Sequence, residues 1–118
     1  MIKGIIVGET VDYISKLDTT EPKTVWKISA LTAYTFSYIG SKITDTEKSL
    51  EAMLEIVSFG LKDVKNFNSF KIETKTINGI QYEAVAKEVL MSIPVPIIIE
   101  LGAEILKLTN PTNSEIKN

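Results

Sequence analysis

Between Lys87 and Leu108 the chain reads KEVLMSIPVPIIIELGAEILKL, its densest apolar run, interrupted by Pro94, Pro96, Glu100 and Glu104. A run of this length is either a membrane span or a set of buried elements. Two carboxylates near a bilayer centre are each costly, so the span is rejected. The prolines divide the run into two helices. One covers Ala86 to Ile93 and ends at Pro94. The other begins at Pro96, where a missing N–H costs nothing, and reaches about Leu108. Ile97, Ile98, Leu101, Ile105 and Leu108 share the inner face of this second helix, and Glu100 and Glu104 form its outer stripe.

Such helices need partners, and the rest of the chain supplies them. Residues 3–17 read as a strand with a kink at Gly8, placing Val11, Tyr13 and Ser15 on one face. Asp18 to Pro22 is a polar turn. Thr24 to Ser29 is a second strand, with Trp26 and Ile28 on one face, and the two strands pair as an antiparallel ribbon. Thr32 caps a helix that carries Phe36, Ile39 and Ile43 at helical spacing, with Gly40 weakening its far end. Thr44-Asp45-Thr46-Glu47 fits a capping box in which Thr44 and Glu47 satisfy each other's amides. The helix it opens carries Leu50, Met53, Leu54, Val57 and Leu61 on its core side. Lys62 to Ser69 is a loop anchored by Phe67.

Asn78-Gly79 lies between two alternating runs and predicts a hairpin, because both turn residues need positive φ. The register follows: Ile77 faces Ile80, Lys75 faces Tyr82, and Ile72 faces Val85. Phe70, Ile72 and Val85 are the expected apolar face. Lys71, Glu73 and Lys75 with Tyr82 are the expected partly solvated one. Thr112 to Glu115 forms a last capping box. The expected class is α+β in one domain, residues 1–118. A small antiparallel sheet, built from the N-terminal ribbon and the Asn-Gly hairpin, packs on two main helices near 45–61 and 96–108.

Composition excludes much chemistry. The 118 residues include no Cys, no His and no Arg, and the net charge is −2. Disulfides, thiolate zinc sites and Ser-His or Cys-His nucleophile pairs cannot be built, nor can a bidentate arginine clamp. Met1-Ile-Lys-Gly-Ile-Ile-Val-Gly is too short an apolar run for a signal peptide. The same segment, Gly4 to Gly8, lacks the spacing of a phosphate-binding loop. Glu100 and Glu104 stand four apart, as an acid–base or metal pair would, but nothing joins them and they read as the polar stripe. Lys62, Lys65, Lys71 and Lys75 with Phe67 and Phe70 mix basic and aromatic residues as single-strand binders do. Asp63, Glu73 and the acidic balance argue against nucleic acid. No catalytic, cofactor or metal residue is assigned. Tyr13 and Trp26 on their strands read first as core or core rim. If the chain has an interface, Tyr13, Trp26 and Phe67 are the residues expected at that protein contact, Trp26 first, because aromatics are enriched at interfaces.

Three segments taken together carry a resemblance: Glu21-Pro-Lys-Thr-Val-Trp-Lys-Ile-Ser-Ala-Leu31, Phe59-Gly-Leu-Lys-Asp-Val-Lys-Asn-Phe67, and Ile93-Pro…Glu100-Leu…Ile105-Leu…Glu115-Ile-Lys-Asn118. They resemble small proteins encoded among the head and tail morphogenesis genes of tailed bacteriophages. The resemblance implies a non-enzymatic virion protein, capsid-associated or joining head to tail, that acts through contacts with coat or tail components and with copies of itself. It equally admits a tail assembly chaperone that shields a virion protein before assembly. The implied location is the virion, or the host cytoplasm during assembly. No functional residue is transferred by it. With the chain stopping just after Glu115, the resemblance leaves little tail for the extended arms of a capsid lattice protein.

Overall fold

The structure, a computed structural model, describes residues 9–109. The Gly4–Gly8 segment, the first part of the expected long strand and the Thr112–Glu115 capping box lie outside these residues. Among them the fold is α+β, as the patterning predicts. Strand β1 (Val11–Tyr13) pairs antiparallel with β2 (Val25–Ile28), placing Tyr13 opposite Trp26. The turn between them is organised by Asp18, whose carboxylate accepts hydrogen bonds from the Thr20 amide and hydroxyl and from the Thr24 amide. These bonds hold its pKa down at about 2. The Glu21–Pro22 peptide in this turn is cis.

Helix α1 (Ala33–Thr44) starts as expected, with Thr32 accepting from the Thr35 amide. Its far end differs. Thr44 does not open the next helix; its hydroxyl donates back to the Gly40 and Ser41 carbonyls and closes α1. Asp45 takes over the capping, accepting from the Glu47 amide at 3.0 Å. A single 3₁₀ turn over Thr46–Lys48 then leads into α2 (Ser49–Gly60).

The buried stripe of α2 is rotated from the expected one. Ala52, Ile56, Val57 and Phe59 are buried, Met53 and Leu54 are half-buried, and Leu50 is exposed. The last turn, Ile56 to Gly60, is buried on every side because it runs between the helix over Val95–Thr109 and the sheets. Gly60 makes that possible: a Cβ here would stand 2.6 Å from Ile105 Cδ1.

The expected loop after α2 is in fact a strand. β3 (Leu61–Lys65) pairs antiparallel with β2, so the ribbon is a three-stranded sheet of order β1-β2-β3. Leu61 is buried as the first residue of that strand, and Phe67 packs on Trp26 with ring centroids 5.1 Å apart.

β4 (Ile72–Ile77) and β5 (Ile80–Val85) form a separate two-stranded sheet in the expected register. Asn78 and Gly79 both have positive φ, 51° and 79°. Val85 is buried as expected, but Ile72, opposite it on the same face, is exposed, so the expected apolar face forms only at its Val85 end. Ile77 and Ala84 are buried on the face that carries Lys75 and Tyr82, while Ile72, Thr74 and Thr76 are exposed on the other. Lys75 can face inward because Glu55 of α2 neutralises it at 3.2 Å and the Phe59 ring lies under it, 5.3 Å from the ammonium. Tyr82 meets the same ring edge-on at 6.3 Å.

The opening stretch folds as two helices, α3 (Lys87–Ser92) and α4 (Val95–Thr109). Ile98, Leu101 and Ile105 are almost fully buried, each worth about 1.5–3 kcal/mol. No helix among the described residues is long and apolar enough to cross a membrane.

Candidate functional site

The three residues expected at a contact come together at one end of the three-stranded sheet. Tyr13 lies opposite Trp26 in the ladder, and Phe67 covers the indole. Trp26, however, is only 3% exposed. It is a core residue with Phe67 as its lid, and it offers no surface to a partner. Tyr13 is also engaged: its hydroxyl donates to Glu100 Oε2 at 2.6 Å.

Glu100 is therefore not an outward stripe residue. Its carboxylate also accepts from the Ser15 hydroxyl and from the Lys16 amide at 2.9 Å. One acid on α4 thus clasps the segment that follows β1. Burial pushes the Glu100 carboxyl up, but the three hydrogen bonds outweigh it and leave the pKa below its ordinary value. Burial, then the bond to Glu100, push the Tyr13 hydroxyl up. Glu104 takes a different partner, Lys107 at 3.1 Å. The two glutamates do not act as a pair, and no group of three or more metal-ligating acids clusters among the described residues.

The basic and aromatic residues of 62–75 do not form one surface either. Lys71 pairs with Glu88, Lys75 with Glu55, and Phe67 covers Trp26. Lys62 lines a cleft of about 470 Å³ with Leu31, Phe59, Ile72 and Tyr82. Burial there holds its ammonium below the ordinary value.

A groove of about 570 Å³ lies between α2, β4, α3 and the start of α4. Its floor includes Leu54, Val85, Leu90, Ile93 and Ile98. Its lip is apolar as well: Leu50 is 43% exposed, Val95 52% and Met91 80%. Glu51, Glu55, Glu73, Lys75 and Lys87 stand around it. Of these, Glu55 and Lys75 are held to each other at 3.2 Å. What the groove can do is exclude water from an apolar side chain of another molecule.

The sequence marks none of the lip residues as a site, and helical spacing places Leu50 in the core, whereas it is exposed. A signal existed in α3, where Met91 falls out of phase with Val89 and Ile93. In a six-residue helix that signal is too short to weigh. Comparison with protein-family models, with curated proteins and with solved structures found no match to this chain.

Proposed function

We propose that the chain is a non-enzymatic protein of tailed-bacteriophage assembly, a virion accessory component bound to the capsid or at the head–tail joint. It acts through protein–protein contacts. The identity of the system comes from the sequence resemblance. The observation that carries the mode of action is the apolar lip of the groove, where Leu50, Met91 and Val95 are held open to solvent around an apolar floor. Exposed apolar surface rimmed by polar residues marks interaction sites.

The second reading, an assembly chaperone, is favoured by Met91. An unbranched, polarisable side chain adapts to more than one occupant, which suits a transient client. Identification of proteins in purified particles separates the two. A virion component is expected there in fixed stoichiometry with the coat or tail protein, and its absence sinks that reading. A chaperone is expected in lysate bound to one virion protein and missing from finished particles. In either case Met91→Glu is expected to weaken the complex at least tenfold while leaving the melting temperature within about 2 °C, since surface changes rarely move stability by more than about 0.5 kcal/mol.

A further inference from the structure

The outer edge of β4 carries hydrogen-bonding groups that no described element uses. A two-residue hairpin closes on a hydrogen-bonded pair, here Ile77 with Ile80, and such pairs recur at every second residue. Lys75 with Tyr82 and Glu73 with Ala84 are therefore bonded pairs, and the Lys71 carbonyl accepts from the Ala86 amide in the same phase. The N–H and C=O groups of Ile72, Thr74 and Thr76 point the other way, out of the hairpin. All three residues are exposed, and among the described residues no strand pairs with this edge.

An open edge is a template for another strand, and its charges select which one. Lys71, just before β4, and Glu73 and Lys75 within it alternate in sign along the chain. A second β4 laid antiparallel must set Ile72, Thr74 and Thr76 against the same three residues, since only these have outward groups. Registers that oppose Glu73 to Glu73, or Lys75 to Lys75, bring like charges face to face. The register that opposes Thr74 to Thr74 does the reverse. It sets Glu73 of each copy against Lys75 of the other and aligns Ile72 with Thr76. It also uses every outward group. Lys75 already holds Glu55, so Glu73, without an ion-pair partner among the described residues, gains most.

We propose that two copies of this chain pair through β4, antiparallel and centred on Thr74, making a continuous four-stranded sheet across a twofold axis. The contact uses the β4 side of the apolar groove, which Glu73, Thr74 and Lys75 line together with Leu50 and Leu54. Backbone bonds then supply the register and the groove supplies apolar burial. The pairing does not depend on the virion reading.

The full chain contains no cysteine, so one introduced thiol reports one distance. In this register the two Thr74 Cα atoms stand about 5.5 Å apart, within the roughly 4.4–6.8 Å that a disulfide spans. The two Thr76 Cα atoms stand about 14 Å apart, four residues out of register. Thr74→Cys is expected to cross-link to a dimer on mild oxidation, and Thr76→Cys is not. In sedimentation equilibrium the unmodified chain is expected at twice the monomer mass. Glu73→Lys, which opposes lysine to Lys75, is expected to sediment as a monomer with an unchanged far-UV spectrum. Thr74→Pro, which removes an outward N–H that β5 does not use, is expected to do the same. An unmodified chain that stays monomeric at all concentrations overturns the proposal and leaves the edge to an extended segment of another protein. A dimer that survives Glu73→Lys, or equal cross-linking at 74 and 76, also overturns it. These readouts use purified chain, so they succeed or fail separately from the particle analysis.

Discussion

Glu100 ties the first described strand to the last helix through a single carboxylate. Tyr13, Ser15 and the Lys16 amide all donate to it, and Ser15 is buried. Glu100→Gln keeps the shape but replaces one acceptor oxygen with a donor, leaving at least one of these groups unsatisfied. A loss of about 1–3 kcal/mol is expected in urea unfolding. Tyr13→Phe removes one neutral donor and is expected to cost about 1 kcal/mol. The pH dependence follows from the two shifts, which have opposite signs. The Glu100 pKa is lowered in the fold, so its contribution is complete above the ordinary glutamate pKa and is lost as pH falls through the folded value. The Tyr13 pKa is raised, so its contribution is complete below the ordinary tyrosine pKa and is lost as pH rises through the folded value. The stability gap between the native chain and Glu100→Gln should therefore be flat through neutral pH and narrow on the acid side. The gap to Tyr13→Phe should narrow only in strong alkali. Melting temperatures measured from pH 3 to pH 11 check both, and a Glu100→Gln gap that widens in acid contradicts the clasp.

At the scale of elements, what could be read from the sequence depends on how local the determining physics is. The hairpin was legible to the residue because Asn78-Gly79 fixes loop length, and loop length fixes register. The division of residues 87–108 into two helices was equally legible, because Pro94 and Pro96 act on their own neighbours. Strand β3 was not. Leu61-Lys-Asp-Val-Lys65 has only two apolar residues, and it is a strand because β2 offers it an edge. The inward turn of Lys75 was hidden for the same reason, since Glu55 and Phe59 neutralise and cover it from a distant segment. The phase of α2 was obscured because its last turn is buried all round, and periodicity describes only elements with a wet side. As for the site, the aromatic cluster was legible, and of its two readings, core and contact, the burial of Trp26 supports core. These placements give matched substitutions. Leu101→Ala, at a position with no exposure, is expected to cost about 2–5 kcal/mol in urea unfolding. Leu50→Ala, on the exposed lip of α2, is expected to cost under about 1 kcal/mol. Equal losses would place Leu50 in the core, as the helical spacing alone suggests.

For the molecule as a whole, the question is whether two small sheets and four helices melt as one unit among the described residues. Neither sheet is independently viable: two strands are marginal alone, and the three-stranded sheet has a β1 of only three residues. The buried side chains nevertheless form one cluster. It runs from Trp26, Ile28 and Leu61 of the first sheet through Ile56 and Val57 of α2 to Ala84 and Val85 of the hairpin and Ile98 and Ile105 of α4. α2 is the shared wall, in contact with α1, α4, β3 and β5. The chain contains a single tryptophan, and it sits in the three-stranded sheet, so its fluorescence follows that sheet, whereas far-UV circular dichroism near 222 nm follows the helices. One cluster implies one transition: the two signals should give the same urea midpoint and the same slope, about 1–3 kcal/mol per molar. Glu100→Gln should move both midpoints together, because the clasp joins β1 to α4 across that core. If the tryptophan signal is lost at lower urea than the helical signal, the first sheet is a separate unit. The clasp would then be what holds two parts together, not a tie within one.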